Sequence, residues 1–380
     1  MTQIPDLSGV ENLKVFTVDK CPKLVRFHES IGFMPNLVYL SASGCKELKS
    51  FVPKMDLSSL QVLSFNFCKK FEHFPEVMEK MDKPLKIHMI NTAIKEFPKS
   101  IGYLTGLEYI DLSICKGLKD LSSSFILLPK LITLKIDGCS KQVTSFQRFK
   151  ERHVMANGYP NLETLHFSGA YLSNEDVNAI IENFPKLKDL KVMHNEFVTL
   201  PNCIRGSLHL KSLDVSFCLK LKEFPKLPSS IQKINARYCR SLTSEASSVL
   251  WSMVSLEIQR IEIVMPLPKI EIPKWFDYAC TEEIPLLWAR QKFSVVALAL
   301  VFREVKKTDN KLFALCEAIN SLTGLNECSH CSLHLFIDGR EICAKDFRYF
   351  NVGANHVLLC DLRVLFSDEE WKDLDASFGN

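Results

Sequence analysis

Along the first 250 residues the apolar positions keep neither a long helical period nor a long strand alternation; they recur as one short template, L-x-x-L-x-L-x-x-C-x-x-L. Leu37, Leu40, Ala42, Cys45, Leu48 and Phe51 fill it in one copy, and Leu60, Leu63, Phe65, Cys68, Phe71 and Phe74 in the next. Leu107, Ile110, Leu112, Cys115, Leu118 and Leu121 fill another, as do Leu210, Leu213, Val215, Cys218, Leu221 and Phe224. Ile231, Ile234, Ala236, Cys239 and Leu242 make a last copy, and looser ones lie at 13–21, 87–97, 131–139, 162–172 and 187–200. The first template position falls at 13, 37, 60, 84, 107, 131, 162, 187, 210 and 231, so successive steps are 24, 23, 24, 23, 24, 31, 25, 23 and 21 residues. The step of 31 marks an insertion at residues 140–159, rich in Lys and Arg.

A unit this short cannot bury its apolar face by itself, so copies must stack. Steps near 20–29 residues predict a leucine-rich-repeat solenoid, an α/β architecture with a curved parallel sheet and short convex segments. Period-two alternation within a copy sends Leu40 and Ala42 inward and Tyr39, Ser41 and Ser43 out onto the concave face. Seven of the ten copies place cysteine at one inward position: Cys21, Cys45, Cys68, Cys115, Cys139, Cys218 and Cys239, with Thr92, Ala170 and Asn195 in the others. A small side chain that can bond the backbone and still pack as a hydrophobe suits a tight turn, so these thiols are read as structural, reduced and buried. The outward columns hold Ser41, Ser43, Ser64, Asn66 and Ser113 in early copies and turn charged or large later: His166, Lys191, Met193, Asp214, Asn235 and Arg237. Those six are the candidate protein-binding residues, in copies seven to ten; a solvated face without a partner is the bland alternative.

The period stops near Ser244, which divides the chain into repeats at 1–250 and a mostly β, jelly-roll-like sandwich at 251–380. Strands are expected at 254–264, 293–302, 332–337 and 356–366, and helical spacing at 310–322 through Leu312, Leu315, Cys316 and Ile319. The run 293–302 is ten residues long, half of what a membrane-spanning helix needs, about 20. Forty-seven Lys and Arg against forty-four Asp and Glu leave +3, too balanced to make nucleic acid or an anionic membrane the main partner. There is no visible secretory signal and no Asn-x-Ser/Thr sequon, so the fourteen cysteines point to a reducing compartment.

Enzymatic signatures fail on spacing. No two glycines are two apart, which removes G-x-G-x-x-G, and neither G-x-x-x-x-G-K-[ST] nor G-x-S-x-G occurs. His28-Glu29 lacks the second histidine of H-E-x-x-H. Cys328, His330, Cys331 and His334, with Cys343 beyond, form the one metal-like cluster, but His330 crowds both thiols and a second well-spaced pair is missing. Asp368, Glu369, Glu370 and Asp373 read as a solvated helix face. No catalytic, cofactor or metal residue is assigned.

The cysteine-type units, the turn Asn91-Thr92-Ala93-Ile94-Lys95-Glu96-Phe97-Pro98 and the phrase Leu227-Pro228-Ser229-Ser230-Ile231 resemble the C-terminal repeats of plant TIR-NBS-LRR disease resistance proteins. Ile272-Pro273-Lys274-Trp275-Phe276, followed by the apolar run at 293–302, is similar to the post-repeat jelly-roll domain (C-JID) of that family. The resemblance implies a cytoplasmic, or alternatively nuclear, non-enzymatic module that recognises a pathogen effector or host protein. In a full-length parent it would also touch the TIR and nucleotide-binding domains. Trp275 and Phe276 would anchor the jelly roll or, alternatively, meet the partner. Neither the TIR domain, with its NAD-cleaving glutamate, nor a nucleotide-binding domain precedes Met1, which enters mid-repeat at Ile4-Pro5-Asp6-Leu7. The serine-rich stretch that usually follows the Trp-Phe phrase is replaced by residues 279–285, and closing strands expected after Trp371 are missing. A fragment or truncated product is therefore expected. Readings from other classes are a scaffold or ubiquitin-ligase substrate receptor, which would need an N-terminal adaptor motif, and a zinc-stabilised C-terminal domain.

Overall fold

A computed structural model describes residues 1–10, 12–119, 121, 128–139, 161–254, 262–266, 297–302, 328–337, 340–350 and 356–361. The chain divides into two compact units, Met1–Asp214 and Val215–Asn380. The first is built on one parallel sheet. Its strands in spatial order are β1 (Val15–Thr17), β2 (Tyr39–Ser41), β4 (Val62–Ser64), β6 (Leu85–His88), β7 (Leu107–Asp111), β8 (Thr133–Lys135), β9 (Thr164–His166), β10 (Asp189–Lys191) and β11 (Ser212–Asp214). Between them, β3 (Lys54–Met55) and β5 (Glu76–Val77) form a second, two-stranded parallel ladder.

Neighbouring strands pair template position to template position: Leu40 opposite Leu63, Ile110 opposite Leu134, Leu165 opposite Leu190. This is the expected register, because any slip would turn the apolar residues to the other face. Behind the sheet the inward positions close into a continuous core, with Leu40, Ala42, Leu48, Leu63, Phe65, Ile110 and Leu190 all at 0% exposure. Phe27, Phe51, Phe65 and Phe71 run through it as a chain of ring contacts, 4.5–5.5 Å between centroids. Short 3-10 turns at Glu29–Phe33, Lys99–Tyr103 and Asn202–Gly206 cover the opposite side, each driving in one isoleucine, Ile31, Ile101 or Ile204. At the N-terminus Ile4 is buried, and its N–H donates to the Arg26 carbonyl at 3.1 Å.

One helix was not anticipated from the repeat pattern. α1 (Asn174–Asn183) starts at Ser173, whose hydroxyl accepts from the Asp176 N–H while the Asp176 carboxylate accepts from the Ser173 N–H. That reciprocal pair satisfies two backbone donors that would otherwise have no intrahelical partner.

The second unit continues the template through β12 (Lys233–Asn235) and then changes. The strand expected at 254–264 is corrected: Ser244–Val254 forms helix α2, and the strand β13 is Glu262–Pro266. Ala246, Leu250 and Met253, four and three residues apart, are buried and form the apolar side of that helix. β13 pairs parallel with β12 and antiparallel with β17 (His356–Asp361), which pairs antiparallel with β14 (Ala297–Phe302). β15 (Cys328–Ile337) and β16 (Arg340–Phe350) make a hairpin in which β16 was missed by the sequence reading and β15 is longer than expected. Cys328, His330, Cys331 and His334 all lie on β15, and Cys343 on β16. The insertion at 140–159, the helical spacing at 310–322, the acidic cluster at 368–373, Trp275 and Phe276 lie outside the described residues.

Candidate protein-recognition face

The cysteine column sets the turn that carries the outward face of each copy. Cys45, Cys68, Cys115, Cys218 and Cys239 are at 0% exposure, and Cys21 and Cys139 are partly exposed; all seven are free thiols. Five of the thiols share one contact: each donates to the carbonyl three residues before the equivalent position of the preceding copy. Cys45 bonds Val18 at 3.1 Å, Cys68 bonds Ala42 at 3.0 Å, Cys115 bonds Met89 at 3.0 Å, Cys139 bonds Leu112 at 3.1 Å and Cys239 bonds Val215 at 3.2 Å. Where the column holds Asn195, its amide donates to the equivalent Phe167 carbonyl at 3.2 Å, and its oxygen accepts from the Ala170 and Leu172 N–H groups. Burial pushes the thiols of Cys68 and Cys139 up to about 12, and those of Cys45 and Cys115 upward as well, so they stay protonated donors.

The residue before that column is in the left-handed region in every copy: Lys20, Gly44, Phe67, Asn91, Ile114, Gly138, Gly169, His194, Phe217 and Tyr238 have φ from 53° to 76°. This turn ends the strand and presents three outward columns: the first residue of each strand, the last, and the second residue after it.

Serines expected to face solvent in the early copies do not. Ser41 is 2% exposed and Ser64 7%. Ser41 donates to Asp19 at 2.5 Å, the same carboxylate accepts the Ser43 N–H at 2.7 Å, and the Ser43 and Ser64 hydroxyls meet at 2.8 Å. The correction has a plain cause: small hydroxyls on strands about 4.8 Å apart reach one another and cover themselves. In the third column a short polar side chain accepts the N–H of the same column one copy on, as Asn66 does from Ile90 at 2.8 Å and Asp137 from Ser168 at 3.0 Å.

Towards β11 the columns carry charge. Lys135, His166, Lys191 and Asp214 stand opposite one another on β8, β9, β10 and β11. His166 is bracketed diagonally, its Nε2 3.0 Å from Asp189 and its Nδ1 3.6 Å from Asp137, which also lies 3.9 Å from Lys191 Nζ. Burial works against the His166 cation, but hydrogen bonds to Asp137 and Asp189 outweigh it and raise its pKa from 6.5. Burial likewise opposes both carboxylates, yet His166 holds the pKa of each below 3.8, helped by Ser168 at Asp137 and by Ser212 at Asp189. On the other side, Tyr109 donates to Asp111 at 3.2 Å, its ring meets His88 at a 40° tilt with centroids 4.9 Å apart, and it lies 5.6 Å from the Lys135 ammonium.

Of the six predicted face residues, His166, Lys191 and Asp214 are therefore brought together in one column, with Met193 in the next, its N–H on the Ser168 hydroxyl at 3.2 Å. In the second unit Asn235 is 9% exposed, so its reading as an outward contact residue is corrected; its amide oxygen accepts from Arg237 N–H and Nε at 3.2 and 3.1 Å and holds that guanidinium in place. Asp137 and Asp189 were missed; for Asp137 the recurrence of Asp, Ser and Asn in the third column was a usable signal, whereas Asp189 opens β10 in the first column, where no such recurrence marks it. His88, Tyr109, Asp111 and Lys135 extend the polar face to earlier copies than expected.

Residues 56–245 match a family model described as disease resistance protein RPS4B-like, leucine-rich repeats. The chain belongs to this family. Among curated relatives of these disease resistance repeats, TMV resistance protein N of Nicotiana glutinosa is 28% identical over 278 residues, covering 62% of this chain and 24% of the relative. Disease resistance-like protein CSA1 of Arabidopsis thaliana is 28% identical over 304 residues, 79% of this chain and 23% of that one. Disease resistance protein RPS4B of the same plant is 26% identical over 223 residues, 58% and 18%. The chain thus spans about a quarter or less of the length of these relatives. Among solved structures, the leucine-rich repeat domain of the type III effector XopL is 18% identical with a TM-score of 0.37, covering 62% of this chain and 73% of that domain. Among the described residues of this family member, no helix is long and apolar enough to cross a membrane.

Proposed function

We propose that the chain is a non-enzymatic recognition module of intracellular plant immunity that binds a protein ligand, a pathogen effector or a host protein, through the concave face of its repeats. The observation that carries the reading is the ion-paired cluster of Asp137, His166, Asp189 and Lys191, laid across three adjacent strands with half-buried side chains pointing away from the core. In copies two and three the same columns hold serines that bond one another and Asp19, without a histidine or lysine ion-paired among them. Pre-ordered charged groups at the centre of a face are what a specific polar interface uses. The family's disease-resistance character supports the setting. In this reading the repeats occupy 1–250, and the region after them forms a jelly-roll-like domain anchored by Trp275 and Phe276, to which the antiparallel order β13, β17, β14 is suited.

The test is a panel of purified candidate effectors measured against the chain by interferometry. A binder should lose affinity about tenfold or more when Lys191 or Asp214 is changed to alanine. Unchanged affinity in both, and in Arg237→Ala, sinks the reading.

A further inference from the structure

A second surface of the first unit runs along the turn edge of copies one to five. The left-handed residues there are stacked by backbone bonds: Lys20 N–H donates to Ser43, Gly44 to Asn66, Phe67 to Ile90, Asn91 to Ser113 and Ile114 to Asp137, all at 2.7–2.8 Å. Their side chains therefore line up one repeat apart, at about the 4.8 Å spacing of the strands. Phe67 is 50% exposed at φ 61°, and Ile114 43% exposed at φ 64°. Both choices run against two preferences at once. The left-handed region disfavours a β-branched or bulky residue, and water disfavours an exposed apolar one. Gly44 and Gly138 show that the same column accepts glycine, so the fold does not demand a side chain at Phe67 or Ile114.

Two residues beyond Gly44, Phe67 and Ile114 lies a lysine. Lys46, Lys69 and Lys116 follow their cysteines directly, are exposed, and form no ion pair with any described residue, whereas Lys70 and Lys95 are held by Glu47 and Glu72 at 2.7 and 2.6 Å. The five turn segments 19–23, 43–49, 66–72, 90–96 and 113–119 carry nine lysines against four acidic residues, a net +5 where the whole chain is +3. The rest of the chain is therefore net −2, and the positive excess lies beside two exposed apolar side chains.

We infer that this edge docks an acidic peptide segment of a partner protein, with apolar side chains of the segment seated on Phe67 and Ile114. The lysines supply charge complementarity, which sets on-rate and orientation, and the two strained apolar residues supply the contact area. Glu47, Glu72 and Glu96 interrupt the lysines in successive copies. A continuous phosphate backbone or an anionic bilayer would be repelled at each of them, whereas a peptide spaces its charges with neutral residues. The surface uses none of His166, Lys191 or Asp214, so its failure and that of the concave-face reading are separable.

The experiment is fluorescence anisotropy of a labelled 16-residue probe of repeated Asp-Phe-Glu-Leu, titrated with the full chain at low and moderate salt. The expected result is saturable binding that weakens with salt. It should also weaken by about tenfold in Lys69→Glu/Lys116→Glu and in Phe67→Gly/Ile114→Gly, and be unmoved in the charge-matched control Lys14→Glu/Lys211→Glu. Phe67→Gly/Ile114→Gly should melt no lower than the parent, since glycine relieves the left-handed strain. Absence of probe binding, equal loss in the control pair, a lower melting temperature of the glycine variant, or tighter binding to a poly-dT 16-mer or to phosphatidylserine vesicles would each overturn the proposal.

Discussion

Changing Cys115 separates two accounts of the cysteine column, small hydrophobe or hydrogen-bond donor. Its sulfur is at 0% exposure, donates to the Met89 carbonyl at 3.0 Å and meets the Thr92 hydroxyl at 3.2 Å. In Cys115→Ala the carbonyl loses that donor in a dry turn, costing about 1–3 kcal/mol, and the lost apolar volume adds roughly 1 kcal/mol. In Cys115→Ser the donor survives on a shorter bond and is desolvated, and the cost falls to about 1–2 kcal/mol. The expected order of stability is parent, serine, alanine, with shifts of roughly 2–4 °C in melting temperature per kcal/mol for a unit of this size. Urea unfolding followed by tryptophan-independent far-UV circular dichroism, with matched slopes, reads the difference. A companion measurement uses a thiol reagent under native conditions. Among the described cysteines, the partly exposed Cys21 and Cys203 should react before Cys45, Cys68 and Cys115, which should wait for unfolding. Alanine as stable as serine, or more so, would refute the donor role and reduce the column to packing.

His166 gives a pH dependence of definite sign. Its raised pKa makes its contribution complete below about 6.5 and lost as pH rises through the folded value; those of Asp137 and Asp189, lowered from 3.8, are present above about 4 and lost as pH falls through theirs. The stability gap between parent and His166→Ala should thus be widest near pH 5 and shrink by on the order of 1 kcal/mol by pH 9, and a gap that grows with pH contradicts the assigned pairing. Gly106→Ala should destabilise the first unit by about 1–3 kcal/mol, because an added methyl would stand 2.0 Å from the Lys83 backbone carbonyl, and an unchanged denaturation midpoint would show that the backbone yields there.

What could be read from the chain by itself was whatever repeats. The period of 21–25 residues, broken once, dictated stacking, because each copy has an apolar face that only a neighbour can cover. Burial of Leu40, Leu63 and Cys115 followed from template position, and the Ser173–Asp176 capping box was present in the letters, outside the repeat template. Where the period ended, so did the accuracy: the segment after Ser244 turned into a helix before its strand. The sequence named His166 and Lys191 as outward, but not what they meet. Asp137 and Asp189 lie in the copies before and after His166, and only the in-register pairing of β8, β9 and β10 makes them its diagonal neighbours. The left-handed column was equally invisible at Phe67 and Ile114, residues that avoid that conformation when alone; bonds from their N–H groups to the next copy impose it. Alternation within a copy decides which way a side chain points, whereas lateral register between copies decides its company, and register is a property of the stack.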